Sequence, residues 1–103
     1  PAFLEAVRDR GLYLKQRLAA VVDQYPTVLA EVRGEGLLTG VRCLVPPADM
    51  LAAMRDAGLL GAAAGENVVR LLPPLNVTNA EIDEAIDRLD AAASAIEQSG
   101  KAA

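Results

Sequence analysis

The amino-acid sequence predicts a two-layer α+β domain in which a mostly antiparallel sheet is covered on one face by helices. Three observations carry this. The hydrophobic period runs helix, strand, strand, helix, strand, strand, helix; each strand pair is joined by a short segment containing glycine; and the first and last helices are apolar along one stripe only.

From Phe3 the large apolar residues fall at Phe3, Val7, Leu14, Leu18 and Val21 or Val22, with Glu5, Arg8, Arg10, Lys15, Arg17 and Asp23 on the other side. That spacing is helical, and Pro26 ends it by removing a backbone donor. Across Thr27 to Leu44 the period shortens. Val28, Ala30 and Val32 alternate with Leu29, Glu31 and Arg33, and a second run extends from Leu37 to Leu44. Between them Gly34-Glu35-Gly36 offers the positive φ of a tight reversal, so an antiparallel hairpin is predicted. Pro46-Pro47 breaks the strand and opens a short helix from Pro47 to about Ala57, with Gly58 at a left-handed C-terminal cap.

Two more apolar runs, Leu59 to Ala63 and Val68 to Leu72, flank Gly65-Glu66-Asn67 and predict a second hairpin. Pro73-Pro74 stops it, because a proline nitrogen cannot donate to the ladder. Thr78 and Glu81 then stand where a capping box satisfies the first free N–H groups of a helix. The stripe of that helix is Ile82, Ile86, Leu89, Ala93 and Ile96, with Asp83, Glu84, Asp87, Arg88 and Asp90 expected in solvent. Lys101-Ala102-Ala103 is expected to fray.

Composition limits what such a domain can be. Of 103 residues 52% are hydrophobic, but 20 are alanine and three aromatic, so one thin core of Leu, Val and Ile is expected across residues 1–103. A net charge of -4 without a basic stripe argues against nucleic-acid binding. The uncharged stretch Ala57 to Gly65 is far too short to span a bilayer, and the N-terminus lacks the layout of a signal peptide. A single cysteine, Cys43, and the absence of histidine exclude an intramolecular disulfide and a Cys/His zinc site, and fit a reducing, cytoplasmic setting. The chain opens on Pro1 with a helical pattern almost at once, as expected of a piece of a longer protein.

Among the side chains able to carry chemistry, Arg70 stands out, in mid-strand within Val68-Val69-Arg70-Leu71-Leu72. A charge among apolar neighbours needs a partner. Two roles are open. The guanidinium fork can grip a ligand carboxylate bidentately, or it can be structural, paired with Glu31 or Glu66 or lying on an exposed strand face. Gly34 and Gly36 precede a strand pattern and so make a turn, not a phosphate loop. Lys15 lies on the polar side of the first helix and Lys101 in the tail, and neither has the desolvated or cationic surroundings that activate a Schiff-base lysine. Cys43 has no histidine to activate it and is assigned a structural role. No catalytic residue, cofactor anchor or metal ligand is expected in this chain.

The segments Val32-Arg33-Gly34-Glu35-Gly36-Leu37-Leu38-Thr39-Gly40, Ala57-Gly58-Leu59-Leu60 and Gly65-Glu66-Asn67-Val68-Val69-Arg70-Leu71-Leu72-Pro73-Pro74-Leu75-Asn76-Val77-Thr78 resemble, in order and separation, the end of class III aminotransferases, and most of all the acetylornithine aminotransferase group. The resemblance implies the C-terminal small domain of a fold-type-I enzyme, not catalytic alone. The large domain of the same enzyme, outside this chain, would carry pyridoxal phosphate and its lysine. The parent, a homodimer, would move an amino group from N-acetylornithine to 2-oxoglutarate, giving N-acetylglutamate semialdehyde and glutamate in arginine biosynthesis. Arg70 matches the arginine that binds the substrate carboxylate in the family; Arg33 also matches a family position and is assigned to pairing near the hairpin.

Ornithine, succinylornithine, diaminopimelate-pathway and 4-aminobutyrate aminotransferases end similarly, so the donor stays open. Two other classes also stay open: an independent carboxylate-binding or regulatory module, and a purely structural interaction domain. A parent reading frame extending several hundred residues upstream separates the enzyme from both. An open, apolar sheet face would pack on the large domain and make the isolated fragment self-associate.

Overall fold

The computed structural model describes residues 2–34, 39–71 and 78–99. Seven elements follow the order read from the sequence: α1 (Ala2–Gln24), β1 (Leu29–Arg33), β2 (Gly40–Cys43), α2 (Pro47–Asp56), β3 (Gly61–Ala64), β4 (Val68–Leu71) and α3 (Asn79–Gln98). The expected turn at Glu35 and Gly36, the strand start at Leu37, the Pro73-Pro74 stop, the tail at Lys101 and the side chains of Phe3 and Val7 lie outside the described residues.

The four strands form one antiparallel sheet in the order β1-β2-β4-β3. The second hairpin therefore joins the first through β4, leaving β1 and β3 as edges. Side chains alternate across the pleat. Leu29, Val41, Cys43, Val69 and Leu71 enter the core with Leu14, Leu18 and Val21 of α1, Met50 and Met54 of α2, and Ile82, Ile86 and Leu89 of α3. All three helices thus cover one face, the predicted two-layer α+β arrangement.

One strand departs from simple alternation. The register of β1 against β2 shifts between Leu29 and Glu31, so Ala30 is the extra residue of a bulge. Val28, Leu29 and Val32 then pack toward the helices, and Ala30 alone drops out of the alternating set Val28, Ala30 and Val32.

Local signals at the helix ends are as read from the sequence. Gly58, at φ 86°, closes α2: its N–H donates to Arg55 O at 3.0 Å and that of Leu59 to Met54 O at 2.8 Å, the paired bonds of a Schellman end. Thr78 and Glu81 form the capping box of α3. Two acids expected in solvent instead tie α3 to α1 and to the residue that follows it. The Tyr25 hydroxyl donates to Asp90 at 2.5 Å; that of Tyr13 donates to Asp83, which also pairs with Arg17 at 3.4 Å. Cys43 is buried in the core, and burial pushes its thiol up to about 11, in keeping with a structural role.

Candidate functional site

The face of the sheet turned away from the helices carries the charged residues of the strands. Val69 and Leu71 point inward, so Arg70 between them points outward and is exposed. Its direct cross-strand neighbours are Gly40 on β2 and Ala62 on β3, and Gly40 in turn faces Arg33 on β1. One row across the open face thus reads Arg33, Gly40, Arg70, Ala62. The next reads Glu31, Arg42, Val68, Ala64. An apolar open face was expected; the alternation puts four charged side chains there instead.

The charges on this face are unequally matched. Glu31 pairs with Arg33, and with Arg42 Nε at 3.7 Å. Arg42 Nε is shielded from water and lies beyond hydrogen-bond reach of that carboxylate, so the contact is an ion pair only. Glu66, at positive φ in the β3–β4 turn, pairs with Arg33 at 3.3 Å. The hydrogen bond and charge of Glu31, with Glu66 adding to them, hold the Arg33 guanidinium above its ordinary value. Among the described residues Arg70 makes no ion pair and no hydrogen bond. Glu31 and Glu66, the two carboxylates that could have made Arg70 a structural arginine, are engaged by Arg33 and Arg42. The fork of Arg70 is left for something else.

Arg70 borders a shallow hollow of about 230 Å³ shared with Arg33, Gly34, Ala64, Glu66 and Val68. The hollow is open to solvent and wide enough for a small carboxylate. A larger hollow, about 380 Å³, lies between Asp9 and Arg10 of α1 and Thr78 and Asn79 at the start of α3. There Arg10 stands beside the carboxylate of Asp9 along the chain, and Thr78 is occupied in capping.

The residues present do not fit pyridoxal phosphate. Lys15 is exposed on α1, in the helix layer, with the sheet between it and Arg70. Nothing around it supplies the burial that activates a Schiff-base lysine, and Lys101 lies outside the described residues. Among the described residues no cluster of Cys, Asp and Glu could hold a metal ion, and no helix is long and apolar enough to cross a membrane.

Local sequence singled out Arg70 but not its setting. Neither the pairing of Gly40 with Arg70 nor the sharing of Glu31 between two arginines leaves a local signal, because both depend on register between distant strands.

Comparison with known proteins places these features in a wider frame. The family model described as Aminotransferase class-III matches residues 1–93. Acetylornithine aminotransferase 1 of Bradyrhizobium diazoefficiens is 50% identical over 99 residues, covering 96% of this chain and 24% of that protein. Acetylornithine aminotransferase of Agrobacterium fabrum is 51% identical over 94 residues, 91% of this chain and 24% of that protein. Among solved structures, N-acetylornithine aminotransferase from Stenotrophomonas maltophilia superposes with a TM-score of 0.85 at 29% identity, over 95% of this chain and 28% of that one. The chain spans about a quarter of the length of the curated relatives it matches.

Proposed function

We propose, from the premise that this chain belongs to the class-III aminotransferases, that it is the C-terminal small domain of an acetylornithine aminotransferase and supplies Arg70 as the ligand for the substrate carboxylate. The observation that carries this is the unmatched guanidinium on the open face, beside a hollow wide enough for a small carboxylate, while the neighbouring acids are taken by other arginines.

Both substrates of such an enzyme, N-acetylornithine and 2-oxoglutarate, present an α-carboxylate, so one arginine serves both half-reactions. A bidentate grip fixes two points of the carboxylate plane and hence the orientation of the carbon beside it. Closing the open face against the rest of the enzyme would strip water from Arg70 and strengthen the grip, since ion pairing weakens as the dielectric rises. Pyridoxal phosphate, which supplies the electron sink for the family's chemistry, is held on this proposal by the part of the enzyme outside this chain.

The proposal extends to assembly. The open face packs against the large domain of the same enzyme, and the enzyme is a cytoplasmic homodimer. Self-association of the isolated chain was expected from an apolar face, and the charged face found in its place removes that ground.

Arg70→Ala in the intact enzyme tests the central claim. Charge-assisted bonds contribute about 1.5–3 kcal/mol, so catalytic efficiency should fall tenfold or more for N-acetylornithine and for 2-oxoglutarate alike. Arg70→Lys should recover only part, because a point charge lacks the fork. Unchanged half-reaction rates would remove Arg70 from the site. Assay of ornithine, succinylornithine and 4-aminobutyrate beside N-acetylornithine fixes the donor.

A further inference from the structure

We propose that Glu66 is a specificity-determining residue, whose carboxylate at the rim of the hollow beside Arg70 disfavours a substrate that brings a second negative charge. The proposal rests on the assignment of Arg70 as a carboxylate ligand and adds the residue that sets how strongly 2-oxoglutarate is held relative to N-acetylornithine.

Glu66 lines the hollow together with Arg33 and Arg70, and it is the one acid among the described residues that does so. Its backbone is held in place. In the tight reversal between β3 and β4, Glu66 and Asn67 have φ of 64° and 65°, and the Val68 N–H reaches Gly65 O at 3.4 Å. The carbonyl of Asn67 accepts from the Cys43 N–H at 2.8 Å, which ties the turn to the end of β2. Such left-handed backbone suits Asn and Gly, and a longer side chain occupies it under strain. Stability does not account for Glu66 here. Its partner is Arg33 at 3.3 Å, its own side chain is 77% exposed, and exposed pairs contribute little to folding. A strained residue beside a ligand hollow, without a gain in folding, points to a role for its charge.

The two proposed substrates differ in what lies beyond the carboxylate that Arg70 takes. In 2-oxoglutarate it is a second carboxylate; in N-acetylornithine it is an ammonium. Around Arg70 the charges of Glu31 and Glu66 balance those of Arg33 and Arg42. Arg70 therefore meets one carboxylate with little surplus positive charge beside it. Without Glu66 the rim of the hollow would gain a net positive charge, which attracts a second carboxylate and opposes an ammonium. Because the hollow is open to water, this Coulomb effect is screened and amounts to a few-fold change in binding, not to an absolute choice.

The test uses the intact enzyme of which this chain is proposed to be part. KM for 2-oxoglutarate and for N-acetylornithine, at low and high salt, and the thermal midpoint are measured for Glu66→Gln, Glu66→Gly and Arg70→Ala. Glu66→Gln should lower KM for 2-oxoglutarate about threefold at low salt and less at high salt, while KM for N-acetylornithine stays level or rises. Glu66→Gly should shift both KM values in the same way, with a midpoint no lower than the parent's, because glycine adopts positive φ without strain. An unchanged KM for 2-oxoglutarate, an equal fall for both substrates, or a change confined to Glu66→Gly would overturn the proposal. The last of these would assign the effect to the backbone of the turn and not to the charge. If Arg70→Ala leaves KM for 2-oxoglutarate unchanged, the assignment of Arg70 falls and this inference with it; if Arg70→Ala raises that KM and Glu66→Gln leaves it unchanged, only this inference falls.

Discussion

The two faces of the same four strands are built on opposite terms. Toward the helices, Leu29, Val41, Cys43, Val69 and Leu71 are buried and interlock with three helices. Toward the outside, Glu31, Arg33, Arg42 and Arg70 stand over small residues at Gly40, Ala62 and Ala64. The covered face is made of groups that satisfy one another. The open face and the β3–β4 turn beside it have two acids for three arginines, and the odd one lies in the middle of the sheet. Stability and the recognition proposed for Arg70 are thus separated by alternation along the strand, one residue apart between Val69 and Arg70.

Substitutions on the covered side should be felt in stability alone. Leu18 is fully buried, and Leu18→Ala should destabilise by about 2–5 kcal/mol, a large part of what a small domain has. Thermal melting followed by circular dichroism checks this; a shift of only a degree or two would mean that the thin core repacks. Arg70→Ala should do the reverse, leaving the stability within about 0.5 kcal/mol of the parent while efficiency falls, because an exposed side chain without an internal partner contributes little to folding.

Tyr25→Phe lies between these extremes. It removes the bond to Asp90 and should cost about 1 kcal/mol, or about 4–8 °C for a domain of this size. Donation to Asp90 first, and burial second, raise the Tyr25 phenol above its ordinary 10.0. The bond requires the protonated phenol, so its stabilisation is complete below 10 and is lost as pH rises through the higher folded value. Denaturation of parent and variant should therefore differ at pH 8 and converge in strong alkali. The smallest effect is expected from Glu31→Gln, which releases Arg33 and Arg42 from an exposed pairing. A loss of about 0.5 kcal/mol or less, shrinking further at high salt, is the expected result in melts at two ionic strengths.

What could be read in the sequence follows the range of the interactions. The stripe Ile82, Ile86, Leu89, Ala93, Ile96, the Thr78 cap and the Gly58 stop are local, and each has its structural counterpart. The bulge at Ala30 was not legible, because one inserted residue leaves composition unchanged and alters only register. The ties from Tyr13 to Asp83 and from Tyr25 to Asp90 join residues far apart in the chain, and their acids look like any solvated helix face. Arg70 was visible as a charge among apolar residues. That Glu31 and Glu66 turn to other arginines, and that glycine and alanine flank it, required the strand order.

That order also governs when the site comes into being. β4 is the last strand in the chain, yet it lies inside the sheet against β2. Each hairpin can close by itself, but Gly40 meets Arg70 only once α2 and β3 have been brought round, and such distant pairings are the slow ones. During synthesis, a nascent chain that has not yet reached Val68 has the inner edge of β2 unpaired, a template for wrong partners. The carboxylate site proposed at Arg70 is therefore a late product of assembly, and a ligand held there would stabilise only the finished domain.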